Sequence, residues 1–201
     1  MPNTVKIPAE TWLETAKKAL VEEGLGGVKV DRLAKNLGVT RGGFYHHFEN
    51  HRDLLDRLIK YWAMSNNFLP ELNDIATPLD AHAAFEALID HLIAEEAFSP
   101  AFELAVREWA RIDARIKRVV DKVDNERINS VSALFQALGC DDEEASIRAR
   151  VLYFHQIGFY SLGYHQQQTK AERMKNGPIY MRILCGQRYS QVAEQQARKW
   201  A

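Results

Sequence analysis

The segment from Leu33 to Phe48 holds the residue types whose order most constrains the chemistry of this chain. Leu33, Ala34 and Leu37 form an apolar face, Gly38 follows, and then comes Thr40-Arg41-Gly42-Gly43-Phe44-Tyr45-His46-His47-Phe48. At about 100° per residue, Phe44 and Phe48 share one side of a helix, while Gly42 and His46 lie opposite, flanked by Arg41, Gly43 and Tyr45. The phenylalanines are expected to seal this helix onto Leu33, Leu37 and Val39. The outward face is then small, cationic and rich in hydrogen-bonding groups. Gly42 and Gly43 each cost a short helix about 1 kcal/mol relative to alanine, so they call for a compensating gain, which the close approach of a partner's backbone supplies. Such a face suits the major groove of DNA, with Arg41 donating to guanine edges and Tyr45 and His46 reaching phosphate oxygens.

Other chemistries find less support. His82, His91, His155 and His165 lack metal-ligand spacing with nearby cysteines or carboxylates, so neither a metal site nor a cofactor is expected. Glu95-Glu96 and Asp141-Asp142-Glu143-Glu144 read as a solvated helix end and a helix start rather than as paired catalytic acids. Cys140 and Cys185 have no CxxC spacing and read as packed, reduced thiols. Gly24-Leu25-Gly26-Gly27 is too short and wrongly placed to cradle a phosphate. No nucleophile with its base is legible, and the chain is not expected to be an enzyme.

The elements that must position these residues are helical throughout. Apolar residues recur at helical spacing and no period-two alternation is sustained, which predicts an all-α chain. A first helix is expected over Pro8–Glu23, with Trp12, Leu13, Ala16, Ala19 and Leu20 inward and Gly24 as its stop. A second follows over Val30–Leu37, Gly38 turns the chain, and the Thr40 hydroxyl is expected to cap the third helix. A fourth begins near Asn50 with Leu54, Leu55, Leu58, Ile59 and Trp62 buried. Thr77-Pro78 and Ser99-Pro100 mark two further starts, for helices over Pro78–Ala97 and Pro100–Ala110. A long helix is expected over Ala114–Leu138, another from Asp141 or Asp142 to Gln166, and a break at Asn176-Gly177-Pro178 before a last helix from Ile179 to the end.

Composition agrees with a folded, water-soluble protein: 46% hydrophobic and 26% charged residues with a formal net charge of −1. Residues 1–65 hold ten Lys/Arg against eight Asp/Glu, and residues 66–201 sixteen against nineteen, so nucleic-acid contact is expected at the N-terminal end. The start, Met1-Pro2-Asn3-Thr4-Val5-Lys6-Ile7, lacks a signal peptide's apolar run, and no stretch reaches the roughly 18 apolar residues of a membrane span. A cytoplasmic location without membrane contact is expected.

Over about residues 7–62 the chain resembles the tetracycline-repressor (TetR) family of bacterial transcriptional regulators. Leu33-Ala34, Leu37-Gly38-Val39-Thr40, Gly43-Phe44-Tyr45-His46-His47-Phe48 and Leu54-Leu55 fall at the family's spacing. The resemblance implies a helix-turn-helix domain over residues 1–52, in a three-helix DNA-binding module, and a helical ligand-binding and dimerisation domain over 53–201. It implies a recognition helix at Thr40–His46, with Thr40, Tyr45 and His46 on phosphates and Arg41 and Gly43 near bases. His51 stands where the family often has a phosphate-binding lysine. Histidine is mostly neutral at pH 7, which weakens that contact unless a phosphate raises its pKa.

The second half should respond to a ligand. Trp62, Phe85, Phe102, Trp109, Tyr153, His155 and Tyr160 are candidate pocket residues, although ordinary core explains any one of them. The helix near Glu143–Gln166 is apolar around most of its circumference, with Val151, Leu152, Phe154, Ile157, Phe159 and Leu162, so burial on several sides is expected. Pairing it with the last helix, which offers Ile179, Tyr180, Ile183 and Leu184, would bury both in a four-helix interface with a symmetry mate, and a central position in a monomer would explain the same pattern. The homodimer is preferred because a palindromic double-stranded operator requires two recognition helices about 34 Å apart. The expected function is a ligand-responsive regulator, most simply a repressor, released from its operator by a small-molecule effector. An all-α protein–protein adaptor that uses the helix-turn-helix for partner binding is the alternative, followed by an all-α enzyme.

Overall fold

The computed structural model describes residues 7–71, 75–187 and 189–192, and every regular element among them is helical. The expectations for residues 1–6 and for the helix beyond 192 lie outside the described residues. Nine helices of more than one turn are seen among them: α1 (Ala9–Glu23), α2 (Val30–Asn36), α3 (Arg41–Tyr45), α4 (His51–Ser65), α5 (Pro78–Ala94), α6 (Pro100–Ile112), α7 (Ala114–Ala137), α8 (Asp142–Ser161) and α9 (Lys170–Cys185). No helix among the described residues is long and apolar enough to cross a membrane.

The chain divides into two compact units. The first comprises residues up to Asn66 together with Ser99–Asp121, the second Asn67–Phe98 and residues from Lys122 on. In the first unit, Trp12, Ala16, Ala19 and Leu20 recur along the buried face of α1. They meet Leu33 and Ala34 of α2, Phe44 and Phe48 around α3, and Leu54, Leu58, Ile59 and Trp62 of α4 in one core. Helix α6 adds Phe102, Val106 and Trp109, and packs against α1 and α4. Each large side chain removed from water contributes roughly 1.5–3 kcal/mol, which outweighs the weak intrinsic helicity of α3.

The buried carboxylate of Glu103 lies in this unit. It accepts from Trp62 Nε1 at 3.1 Å and Asn66 Nδ2 at 2.9 Å, and Arg107 donates to its other oxygen at 2.7 Å. Burial without such donors and countercharge would cost several kcal/mol.

The second unit is built on α5, α8, α9 and the rest of α7. Its core contains Phe68, Phe85, Leu88, Phe98, Val131, Leu134, Phe135, Leu152, Tyr153, Tyr160 and Met181. Thr77 and Asp80 form a capping box at the start of α5, and Thr169 and Glu172 form another at α9.

Several expected boundaries move. Helix α5 ends at Ala94 rather than Ala97, because Glu95 turns into the left-handed region at φ 56°. Helix α6 continues beyond Ala110 to Ile112. Helix α8 stops at Ser161, and Gly163, at φ 71°, leads into a short 3-10 turn over Tyr164–Gln166. The break expected at Asn176-Gly177-Pro178 does not occur, since α9 runs through all three. An internal proline costs a helix about 3 kcal/mol. Here capping at Thr169, burial of Met181 and Cys185, and donation from Arg148 Nη1 to Leu184 O at 2.8 Å offset that cost. Gly177 permits close packing on α5, since a Cβ there would lie 2.8 Å from Ile89 Cγ2.

Candidate nucleic-acid interface

The turn before α3 follows from Gly38. Its N–H bonds to Lys35 O at 3.1 Å, and the Val39 N–H reaches back to Ala34 O at 3.0 Å. This pair of bonds closes α2 with a residue at φ 66°, open to glycine without steric cost. The next helix can therefore start three residues after Gly38, at Arg41.

Two aromatic rings then fix which face of α3 points out. Phe44 and Phe48 are fully buried, stacked 5.0 Å apart, and Phe44 meets the edge of Trp12 at 5.6 Å. The expectation that Phe44 and Phe48 hold the helix inward matches this packing, with Trp12 of α1 as a partner that helical spacing alone did not identify. Thr40, Arg41, Gly42, Tyr45 and His46 are exposed, and Gly43 is half-buried.

Within this face, one expectation is corrected. The Thr40 hydroxyl does not cap α3; the nearest backbone bond there runs from Gly43 N–H to the Thr40 carbonyl. The extended backbone of Thr40 places its carbonyl, not its hydroxyl, at the helix start, so the hydroxyl does not engage the α3 backbone. Neither does the chain's own packing demand glycine at 42 or 43. A Cβ at Gly42 would lie 3.5 Å from Thr40 Oγ1, and one at Gly43 would lie 3.8 Å from Trp12 Cζ2, both ordinary contacts.

Charge placement refines the picture. Arg41 Nε lies 3.0 Å from Asp31 Oδ1, an ion pair with both side chains largely in solvent. Such a pair is worth about 0–1 kcal/mol and exchanges readily for a phosphate or a base. His51, at the start of α4, is exposed, but its Nε2 lies 2.6 Å from Val28 O, so that nitrogen donates to the module's own backbone. The Asn50 side chain caps α4 by accepting from Asp53 N–H at 3.0 Å.

The seven candidate pocket residues do not gather at one place. Trp62, Phe102 and Trp109 are buried in the first unit, with Trp62 bound to Glu103. Phe85, Tyr153 and Tyr160 lie in the core of the second. Phe85 packs on Phe135 at 4.8 Å, the Tyr153 hydroxyl donates to Asp124 at 2.6 Å, and the Tyr160 hydroxyl donates to Leu92 O at 3.1 Å. Burial raises the pKa of Tyr160, in keeping with a neutral structural donor.

His155 lines a cavity of about 80 Å³ within the second unit, bounded by α5, α8 and α9. Arg173, Ile89, Phe159 and Met181 line it too, and sequence reasoning missed them. The available signal was Gly177, a small residue that lets α9 lie close to α5; reading it with Pro178 as a break hid that geometry.

Comparison with known proteins bears on the module that holds α2 and α3. Residues 13–58 match the family described as bacterial regulatory proteins, tetR family. The transposon Tn10 TetC protein of Escherichia coli is 29% identical over 86 residues, which is 42% of this chain and 44% of that protein. The tetracycline repressor protein class C of Escherichia coli is 42% identical over 53 residues, 26% of this chain and 24% of that protein. The chain therefore matches less than half the length of these curated relatives. A transcriptional regulator from Rhodococcus sp. Rha1 has the same fold, with a TM-score of 0.58 at 20% identity over 92% of this chain and 96% of that one. The matched segment spans α2, α3 and the turn between them, and it is over that segment that the chain is similar to the tetR family of bacterial regulatory proteins.

Proposed function

We propose that the protein is a ligand-responsive transcriptional repressor that binds a palindromic double-stranded DNA operator as a homodimer and is released by a small-molecule effector. In this reading residues 1–52 read DNA, and residues 53–201 dimerise and bind the effector. The observation that carries it is the outward face of α3: an uncommitted Thr40 hydroxyl, a loosely held Arg41, two glycines with no internal reason, and exposed Tyr45 and His46. Thr40, Tyr45 and His46 bind phosphates, Arg41 reads a base edge, and Gly42 and Gly43 let the helix backbone approach the groove. His51 contributes through its remaining nitrogen.

Dimerisation is supported by the apolar residues that a single chain leaves in water. Ile147, Val151 and Phe154 are 50%, 50% and 59% exposed along one face of α8, and Ile183 of α9 is 69% exposed. Gly158 continues that α8 face with nothing near its missing Cβ. Helix α8 was expected to be buried on several sides, and a partner's α8 and α9 would complete that burial in a four-helix interface.

The test is retention of genomic DNA fragments by the purified protein, followed by gel shifts against random competitor across a salt series, with the oligomeric state measured by sedimentation. A specific dimer keeps a large affinity ratio between its site and random DNA while affinity falls steeply with salt. Equal affinity for all sequences, or binding only to another protein, would favour the adaptor instead.

A further inference from the structure

The cavity in the second unit has a chemistry that narrows its occupant. Its walls are mainly aliphatic and aromatic, from Ile89, Leu92, Phe159 and Met181 among others, and its polar side chains are those of His155, Gln156, Gln168 and Arg173, of which His155 and Arg173 are the ionisable ones. Arg173 is already committed: Nη1 donates to Glu95 Oε1 at 2.6 Å, Nη2 donates to Leu92 O at 2.8 Å, and the guanidinium faces the Phe159 ring. The Glu95 carboxylate cancels its charge locally, so an anion entering the cavity meets no uncompensated cation. An anion would also lose hydration in an apolar site, which costs several kcal/mol when no countercharge is free.

His155 is the complementary case. Its ring lies 4.9 Å from that of Tyr180 and 6.2 Å from that of Phe159, and among the described residues no hydrogen bond engages either ring nitrogen. Burial lowers its pKa below the ordinary 6.5, keeping the imidazole neutral at pH 7. A neutral imidazole offers one donor and one acceptor. A hydroxyl group, itself donor and acceptor, matches either tautomer. The volume of about 80 Å³ is roughly half that of an apolar cavity that encloses a benzene ring, so even a one-ring occupant exceeds it and must extend past the wall, for which Tyr180, 37% exposed, offers a side open to solvent.

We propose that this cavity binds an uncharged, mainly apolar molecule of at most one ring, whose single hydroxyl bonds to the His155 imidazole. The inference deepens the regulatory reading, on which it rests only in making this molecule the effector.

Phenol, benzoate, benzylammonium and benzene are the probes, titrated calorimetrically into the full chain and followed by gel shift on a retained DNA fragment. Phenol is expected to bind saturably, and benzoate and benzylammonium at least about tenfold more weakly. His155→Phe keeps an aromatic ring and should weaken phenol about five- to tenfold, the loss of one hydrogen bond, while leaving benzene within about twofold. Because benzene reports the intact apolar walls, a misfolded variant is distinguished from a lost hydroxyl contact. Tighter binding of benzoate than phenol, or unchanged phenol binding in His155→Phe, overturns the proposal, as does the absence of saturable phenol binding to folded protein. Specific DNA retention without phenol binding refutes the cavity assignment alone. Phenol binding by a chain that shows no DNA specificity refutes the regulator and leaves the cavity assignment standing.

Discussion

Replacing Gly42 and Gly43 together with alanine separates what folding asks of these positions from what a partner asks. Neither has a positive φ, and the new Cβ atoms would meet their nearest neighbours at 3.5 Å and 3.8 Å. Nothing must move. The unfolded chain loses freedom that glycine gives it, and each substitution should therefore stabilise the protein by roughly 0.5–1 kcal/mol. A chain of this size translates each kcal/mol into about 2–4 °C, so the melting of the first unit should rise by roughly 2–8 °C in circular dichroism. DNA binding should move the other way. If this face enters the groove as proposed, two methyl groups push the helix outward and remove one or two direct contacts at about 1–3 kcal/mol each, a loss of about fivefold or more. Fluorescence anisotropy with a retained operator fragment measures it. A double variant that is more stable and binds DNA within about threefold of the parent refutes the claim that these glycines serve a partner.

The ion pair of Arg41 with Asp31 gives a second outcome: Asp31→Asn should tighten operator binding about three- to tenfold by freeing Arg41 and removing a negative charge near phosphates, while Arg41→Ala should weaken binding and relax base preference. Anisotropy on variant operators decides it, since an Asp31→Asn protein with weaker binding would mean that the carboxylate positions Arg41. The pH dependence of stability follows from groups whose pKa values are lowered. Hydrogen bonds from the Thr77 hydroxyl and backbone lower Asp80, and those from the Thr169 backbone and hydroxyl lower Glu172. Their contribution is fully present above the ordinary carboxylate values of 3.8 and 4.5 and is lost as pH falls through the lowered ones. Desolvation lowers His155, so the unfolded chain takes its proton first and stability declines as pH drops below 6.5. Denaturant midpoints measured from pH 7 to 3 test both windows, and an unchanged slope between pH 7 and 5 in His155→Phe would discount the histidine.

Much of the first unit was legible because its signals are local and agree with one another. The 3.6-residue recurrence of Trp12, Ala16 and Ala19, the glycine at 38 and the Phe44–Phe48 pair each point to the same short helices, and the structure contains them. Thr77-Pro78 and Ser99-Pro100 likewise mark true helix starts, with both hydroxyls accepting the expected backbone bonds. Elements decided by distant packing were not legible. Pro178 looks like a break until Gly177 is seen against Ile89, 88 residues earlier, and the cavity beside it is made by that approach. Aromatic residues were a poor guide to the cavity because burial selects them as strongly as binding does. Of the seven candidates His155 is the one lining the cavity, and its distinguishing feature, an imidazole without a hydrogen-bonding partner, is a property of three-dimensional placement.

The composition of the first unit raises the question of how a signal from the second would enter it. The chain passes between them at Asn66–Asn67, Phe98–Ser99 and Asp121–Lys122, the last within the continuous helix α7. One side chain joins the first two crossings: Asn66 Oδ1 accepts from Ser99 N–H at 2.7 Å while its Nδ2 donates to the buried Glu103 at 2.9 Å. Asn66 also ends α4, and Ser99 caps α6 by accepting from Phe102 N–H. A displacement of either crossing must therefore act on α4, whose other end adjoins α3, or break this clamp. Asn66→Ala removes both bonds, one of them to a carboxylate, and should cost the first unit about 2–4 kcal/mol, read as a lower urea midpoint. If the clamp transmits the signal, the variant should also lose most of any phenol-induced release from DNA while keeping its affinity for phenol, since Asn66 does not line the cavity. A destabilised Asn66→Ala protein with undiminished release would confine the clamp to holding α4 and α6 together, and would leave α7 as the route between the units.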